Sequence, residues 1–255
     1  MLNYNITGDA GPLLIIAHGL YGSGRNWGVI AKRLSDQFRV VTPDLRNHGQ
    51  SPADPDHSYA ALAADLGELI RHLGAPAQLC GHSMGGKAAM TLALTQPEVI
   101  DRLIVADIAP VSYAHSQIQY IHAMRAVDLS QVSRRSDAET QLAQHGVEPA
   151  LQSFFTQSLD VAGKKWRLNL DALEANMAQI LAFPELTSAF TKPTLFLSGG
   201  ESAYVSRDHR PKIKSLFPSA RFARIPGAGH WLHAEKPREF ESALRAFLGP
   251  SLPQA

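Results

Sequence analysis

The stretch AQLCGHSMGGKAAMTLALT, residues 77–95, decides how this chain folds. It opens with a strand-like run, Ala77 to Cys80, and closes with a helix-like segment, Gly86 to Thr95, with GHSMG between them. This order predicts a strand, a sharp turn and a helix with Ser83 at the apex, an arrangement called a nucleophile elbow. Serine at such an apex has an unfavourable backbone geometry, and the glycines two residues to either side keep side chains out of the turn. We therefore expect the Ser83 hydroxyl to be exposed above a sheet edge.

Further strands are predicted by near-continuous hydrophobic runs of four to seven residues. They are Leu13 to Ala17, Arg39 to Thr42, Arg102 to Ala106, Pro193 to Ser198 and Ala220 to Ile225. Runs of this kind are typical of a parallel sheet that is covered on both faces. Two segments with apolar residues at helical spacing, Tyr59 to Leu73 and Glu235 to Leu248, predict amphipathic crossover helices. The chain is therefore predicted to be an α/β protein with a mostly parallel central sheet and helices on both faces.

The alternation of strands and helices stops after Pro110. From residue 111 to residue 190 no strand-like run is found, and four segments are predicted to be helices: Gln117 to Ala126, Asp137 to His145, Glu148 to Leu159 and Asp171 to Leu181. An insertion at this place predicts a small helical cap over the serine. At 255 residues the chain suits one core with such a lid. We predict a core of residues 1–110 and 191–255, a cap of residues 111–190, and a frayed tail at residues 250–255.

A serine nucleophile needs a general base and an oxyanion hole, and the chain offers candidates for both. His230 lies in the loop GAGHW, residues 227–231, directly after a predicted strand, and is the candidate base. The sequence HGL at residues 18–20 follows another predicted strand, where a backbone N–H can point at a developing oxyanion. We assign the backbone amides of Leu20 and Met84 as the two donors, since Met84 directly follows Ser83.

These motifs resemble those of the α/β-hydrolase superfamily, and the resemblance covers nearly the whole chain. It is carried by HG at residues 18–19, DLRNHGQS at 44–51, GHSMGG at 81–86 and GH at 229–230. Within the superfamily the chain is similar to the YbfF-type bacterial esterases through LYGS at 20–23, ADIAP at 106–110 and SGGESAYV at 198–205. The resemblance implies a serine hydrolase that cleaves carboxylic esters or thioesters of short to medium acyl chains, with acyl-CoA among the candidates, through an acyl-enzyme on Ser83.

The acid that orients His230 has two candidates. Most hydrolases of this fold carry it after the strand that is Pro193 to Ser198 here, where this chain offers Glu201. Asp107 ends the strand that follows the elbow helix and should lie beside the nucleophile strand, from where it can also reach the imidazole. The resemblance to the YbfF-type esterases implies Asp107 as the acid, with Ser202 as an additional polar member of the site. We predict Asp107 and keep Glu201 as its rival.

Other hypotheses for the function and the substrate site remain open. The same residues could serve a carbon–carbon bond hydrolase or a perhydrolase with a different pocket, and a ligand receptor with a vestigial triad is a third, non-catalytic hypothesis. Tyr21 and Trp231 are candidates to line the substrate pocket, although each could equally be ordinary packing. Basic residues of the cap, Arg134, Arg135, Lys164, Lys165 and Arg167, could hold the phosphates of an acyl-CoA. Since eight acidic residues outnumber six basic ones there, a solvated surface is the favoured interpretation.

Composition narrows the partners and the compartment. Basic and acidic residues nearly balance, 24 against 23, which argues against a nucleic acid or an anionic membrane as partner. The sequence shows neither a secretory signal nor an 18-residue apolar stretch, and its single cysteine, Cys80, fits a reducing compartment, so we predict a cytoplasmic protein. No metal-ligand spacing and no phosphate-binding glycine loop is found, so no cofactor is predicted. The sequence does not specify the oligomeric state.

Overall fold

The computed structural model describes residues 1–249, and its centre is a seven-stranded sheet in the order β1-β3-β2-β4-β5-β8-β9. The strands are β1 Tyr4–Thr7, β2 Leu13–Ala17, β3 Arg39–Pro43, β4 Ala77–His82, β5 Ile100–Ala106, β8 Thr194–Gly199 and β9 Ala220–Ile225, with β6 Leu159–Asp160 and β7 Lys165–Trp166 in a separate pair. Only β1 is antiparallel to its neighbour in the central sheet. The predicted tail, residues 250–255, lies outside the described residues.

Helices cover both faces of this sheet. The α-helices of the described residues are α1 Gly28–Leu34, α2 Tyr59–Leu73, α3 Met84–Thr95, α4 Ile118–Ala126, α5 Arg135–Gln144, α6 Pro149–Thr156, α7 Leu170–Ala175, α8 Met177–Leu181, α9 Arg210–Leu216, α10 Leu232–Glu235 and α11 Pro237–Leu248. Successive strand residues point to opposite faces, so Ile15 joins the buried cluster under α2 and α3 while Ile16 joins the one under α1 and α11. This two-sided burial explains why the strands are hydrophobic without a break, and the predicted fold class is confirmed.

The sheet also has a strand that the sequence analysis did not predict. β1 pairs with β3 at the edge of the sheet, and its residues are exposed or half-buried. A short strand that is only partly covered lacks the continuous apolar run by which the other six were found.

Several predicted helices differ in their bounds from those observed. The segment predicted from Glu235 to Leu248 begins instead at Pro237, because Lys236 before this proline lies outside the helical region, with φ −134° and ψ 61°. The segment predicted from Asp171 to Leu181 is split into α7 and α8 at Asn176. The Asn176 side chain donates hydrogen bonds to the carbonyls of Pro55 and Ala172, which fixes the break.

The stretch between β5 and β8 holds five helices and the β6–β7 hairpin. The prediction that no strand lies between residues 111 and 190 was wrong, since Leu159 and Asp160 pair with Trp166 and Lys165. Strands of two residues are too short to show a period in the sequence. The helix predicted from Glu148 to Leu159 ends instead at Thr156, ahead of the hairpin. The boundaries of the cap, 111–190, stay a prediction.

Hydrogen bonds to the end of α8 tie this stretch to the helices of the core. Lys87 of α3 is 2% exposed and donates to the carbonyls of Leu181 at 2.8 Å and Ala182 at 2.7 Å. The hydroxyl of Tyr59 in α2 donates to the carbonyl of Ile180 at 2.7 Å. The helix that follows Ser83 is therefore bonded directly to the stretch between β5 and β8. Within residues 1–249, no helix has both the length and the apolar character that crossing a membrane requires.

Candidate active site

Ser83 lies between β4 and α3 in a strained conformation, with φ +52° and ψ −119°. Its N–H donates to the carbonyl of Ala106 in the neighbouring strand at 3.0 Å. The flanking glycines are required by close contacts, since a Cβ on Gly81 would lie 2.3 Å from the carbonyl oxygen of Gly85 and a Cβ on Gly85 2.4 Å from that of His18. The glycine–serine–glycine spacing therefore follows from the space between strand and helix.

His230 lies between a carboxylate and the serine hydroxyl. Its Nδ1 is 2.7 Å from Oδ2 of Asp107, and its Nε2 is 3.1 Å from Oγ of Ser83. An ionised carboxylate only accepts hydrogen bonds, so the ring proton belongs on Nδ1 and Nε2 is free to accept from the hydroxyl. This is the tautomer that a general base for Ser83 needs.

Asp107 is fully buried at the end of β5, with a positive φ of 51°. Its Oδ1 accepts from the N–H of Gly199 at 3.0 Å, and its Oδ2 accepts from the hydroxyl of Ser202 at 2.5 Å as well as from His230. These donors compensate for the lost hydration of a buried carboxylate. The structure thus brings together four of the residues singled out in the sequence: Ser83, Asp107, Ser202 and His230.

Glu201, the rival acid, lies apart from this group. Glu201 is exposed, and its backbone N–H donates to the carbonyl of Ala228 at 2.9 Å. The loop that follows β8 thus brings Ser202 to Asp107 and leaves Glu201 at the surface.

The two candidate oxyanion donors border Ser83. Met84 is the first residue of α3, so its N–H has no partner within the helix, and Leu20 lies in the loop after β2. Among the described residues neither amide donates a hydrogen bond. A small cavity of about 30 Å³ is bordered by Leu20, Ser83 and Met84. A space of this size is enough for one oxygen atom, as an oxyanion hole requires.

A buried histidine, His48, holds the loop that carries Leu20, a role that the sequence analysis missed. His48 donates from Nδ1 to the carbonyl of Arg46, which leaves Nε2 to accept from the N–H of Tyr21 at 3.2 Å. Burial lowers the pKa of His48 to about 3, so its ring is neutral at neutral pH. Tyr21 has a φ of +64°, and its N–H is taken up by His48. No local pattern could reveal this contact, since the two residues are 27 positions apart.

The largest space at Ser83 is a cavity of about 330 Å³ between the sheet and the stretch after β5. Both pocket candidates, Tyr21 and Trp231, lie in its wall, and Phe154 and Phe155 of α6 complete the aromatic lining. Among the described residues, no Asp, Glu, Lys or Arg lines this cavity. The site therefore favours an uncharged, largely apolar group.

The basic residues that could hold a coenzyme A phosphate lie elsewhere. Arg134 and Arg167 pair with the carboxylates of Asp137 and Asp160, at 3.1 Å and 3.2 Å. Arg135 and Lys164 donate to backbone carbonyls of the same stretch. These side chains and Lys165 are all absent from the lining of the cavity at Ser83.

Fold and site together are those of a hydrolase, and comparison with known proteins gives the family. The model of the alpha/beta hydrolase fold family matches residues 12–237, so the chain belongs to the α/β-hydrolases. It is 43% identical to the sn-1-specific diacylglycerol lipase ABHD11 of Mus musculus, over 97% of this chain and 85% of that protein. It is 39% identical to the esterase YbfF of Escherichia coli (strain K12), over 92% of each.

A solved structure named as a marine microorganism esterase is 38% identical and superposes with a TM-score of 0.91, covering 96% of this chain and 98% of that one. The relatives are thus esterases and a lipase, and the predicted enzyme class, an ester hydrolase, is confirmed.

Proposed function

We propose that the protein is a serine carboxylesterase in which Ser83 is the nucleophile, His230 the general base and Asp107 the acid. One observation carries this proposal: the His230 ring has Asp107 at 2.7 Å on Nδ1 and Ser83 at 3.1 Å on Nε2. The exposed position of Glu201 supports Asp107 over its rival. Ser202 serves as an accessory donor to Asp107.

The reaction follows from these contacts. As the Ser83 oxygen bonds to the acyl carbon, its proton moves to Nε2 of His230, and Asp107 stabilises the imidazolium that forms. The negative charge on the carbonyl oxygen is stabilised by the Leu20 and Met84 amides. His230 then returns the proton to the leaving alcohol as the acyl–oxygen bond breaks. Water then attacks the acyl-enzyme as His230 takes its proton, and the carboxylic acid is released as the proton passes to the Ser83 oxygen. These steps need no cofactor.

The cavity supports uncharged esters as the substrate class. Its wall is aromatic and has no Lys or Arg, whereas a coenzyme A group carries several phosphates. Diacylglycerol, which the mouse relative is named for, has no charged group and fits the same description. The structure thus favours neutral esters over acyl-CoA thioesters, and no feature of the site favours carbon–carbon bond hydrolysis, perhydrolysis or a non-catalytic receptor. The cytoplasmic location stays a prediction from the sequence.

A panel of substrates and one variant test the proposal. p-Nitrophenyl esters from acetate to palmitate, a diacylglycerol and an acyl-CoA would be compared by kcat/KM. We expect turnover of the neutral esters, weaker turnover of acyl-CoA, and a loss of about 10⁶-fold in Ser83→Ala. A serine-directed fluorophosphonate should label the wild type and leave Ser83→Ala unlabelled. Hydrolysis at the wild-type rate by purified Ser83→Ala would refute the mechanism.

A further inference from the structure

Tyr204 stacks on the ring of His230. The two ring centroids are 4.0 Å apart and the planes differ by 19°, so the faces are nearly parallel. Tyr204 comes from the loop after β8, two residues beyond Ser202. It also borders both cavities at Ser83. A single side chain therefore touches the histidine and borders both of these spaces beside the serine.

Hydrogen bonds hold Tyr204 from several directions. Its hydroxyl lies 2.7 Å from Nε2 of His115, and the Gln117 amide donates to the same oxygen at 3.5 Å. Its carbonyl accepts from the hydroxyl of Tyr113 at 2.7 Å. Its N–H donates to Oγ of Ser202 at 3.3 Å, and Ser202 in turn donates to Asp107. Burial raises the pKa of Tyr204, so the hydroxyl stays neutral and can donate to His115.

His230 becomes positively charged when it takes the Ser83 proton, and among the described residues few ionisable groups lie near its ring. Within residues 1–249, the titratable side chains beside its ring, apart from Tyr204 itself, are Asp107, whose carboxylate bonds Nδ1, and His82 and His233. Burial holds the pKa of His82 well below its usual range and lowers that of His233 to about 3, so both are neutral. A cation within about 6 Å of an aromatic face is stabilised by the electrons of the ring. The imidazolium of the transition state is thus positioned to interact with Asp107 at its edge and Tyr204 on its face.

We propose that Tyr204 is a positioning residue for His230, which fixes the plane of the imidazole and stabilises the imidazolium through its aromatic face. The inference rests on the proposed function, in which His230 is the general base. It extends that function by linking the histidine to the segment 113–117, which leads into α4 and supplies hydrogen-bond partners to the Tyr204 hydroxyl and carbonyl.

Three variants separate the ring from its hydroxyl. Tyr204→Leu removes the aromatic face and retains bulk. Tyr204→Phe retains the face and removes the hydroxyl bonds to His115 and Gln117, and His115→Ala removes the first of these bonds from the other side. With p-nitrophenyl acetate we expect Tyr204→Leu to lower kcat/KM about tenfold, mostly through kcat, from the usual strength of such contacts. Tyr204→Phe and His115→Ala should stay within about threefold.

The pH profile provides a readout that a merely structural role would not change. Loss of imidazolium stabilisation makes His230 give up its proton more readily, so the acid limb of kcat/KM should move to lower pH in Tyr204→Leu, by about half a pH unit. Tyr204→Phe should retain the wild-type limb. Circular dichroism and thermal midpoints would establish that each variant is folded. An unchanged acid limb in folded Tyr204→Leu, or an equal loss in Tyr204→Phe, would overturn the proposal.

Failure of this inference is distinguishable from failure of the proposed function. If Ser83→Ala retains activity, the triad itself is wrong. If Ser83→Ala is inactive and fluorophosphonate labels Ser83 in Tyr204→Leu at the wild-type rate, the triad stands and only the role of Tyr204 is refuted. Slower labelling of Ser83 in Tyr204→Leu, with wild-type labelling in Tyr204→Phe, is the supporting result.

Discussion

Replacement of Asp107 by asparagine tests the acid through a change of one atom. Both carboxylate oxygens accept hydrogen bonds: Oδ1 from the Gly199 N–H at 3.0 Å, and Oδ2 from His230 at 2.7 Å and Ser202 at 2.5 Å. The amide of asparagine has one acceptor and one donor end. If its donor end faces His230, Nδ1 must accept, the ring proton moves to Nε2, and the base cannot take the proton of Ser83. If the donor end faces Gly199, the N–H of the asparagine side chain and the backbone N–H of Gly199 point at each other with no acceptor between them.

Either orientation removes the negative charge that stabilises the imidazolium, so we expect kcat of Asp107→Asn to fall by roughly 10⁴-fold. This corresponds to about 5 kcal/mol in the activation free energy. The matched control is Glu201→Gln, which makes the same chemical change at an exposed residue in the loop after β8. Its kcat should stay within about tenfold of wild type. The assay is kcat for p-nitrophenyl acetate on variants with wild-type circular dichroism. A small loss in Asp107→Asn combined with a large loss in Glu201→Gln would refute the assignment and move the acid to Glu201.

Three further predictions concern the surroundings of the triad. Ser202→Ala removes one of three donors to the Asp107 carboxylate and should lower kcat about tenfold, less than Asp107→Asn; an equal loss would contradict an accessory role. His48→Ala leaves the Tyr21 N–H without its acceptor and loosens the oxyanion loop, so kcat should fall about 10- to 100-fold with little change in KM; wild-type kcat would contradict this. Burial lowers the pKa of His48 and His57 to about 3, below the unfolded value near 6.5, so their contribution to stability is complete above pH 6.5 and is lost as the pH falls from there toward 3. Each should remove about 1.4 kcal/mol per pH unit from the free energy of unfolding in that window, and urea unfolding at pH 7 and pH 5 measures the loss.

The fold could be predicted from the sequence wherever burial imposes a period. Strands covered on both faces, such as Leu13–Ala17, must be apolar throughout, and six of them were found for that reason. The edge strand Tyr4–Thr7 and the hairpin of Leu159–Asp160 were missed, because neither is long or buried enough to show a pattern. The break at Asn176 depends on a hydrogen bond to the distant Pro55, which no window of local sequence contains.

The candidate site could be predicted in part for a different reason. Ser83 lies in a short motif whose glycines are required by close backbone contacts, and His230 lies in a short loop with two glycines, so the sequence around each is informative. His48 and Tyr204 act through contacts with residues 27 and 26 positions away, and their neighbours in the sequence do not indicate those contacts. The lining of the cavity depends on how α6 packs over the sheet. The local sequence therefore does not indicate that Phe154 and Phe155 line the cavity that Ser83 borders, or that the cavity is uncharged.

The proposed acid, Asp107, fits the order of the sheet. β2, β4 and β5 are neighbours, and beyond their carboxyl ends lie Tyr21, Ser83 and Asp107, all with φ between +51° and +64°. Positive φ is costly for residues other than glycine, so three cases side by side indicate a constraint that the parallel strands around them sustain. An acid on β5 is one strand from the nucleophile, and the loop after β8 is then free for other roles. In this chain that loop supplies the Ser202 hydroxyl to Asp107 and the Tyr204 ring to His230, and the Gly199 N–H that also bonds Asp107 belongs to the end of β8 itself. The loop that holds the acid in most hydrolases of this fold thus supports an acid on the neighbouring strand, so an Asp107→Asn, Glu201→Asp double variant should not recover the kcat that Asp107→Asn loses.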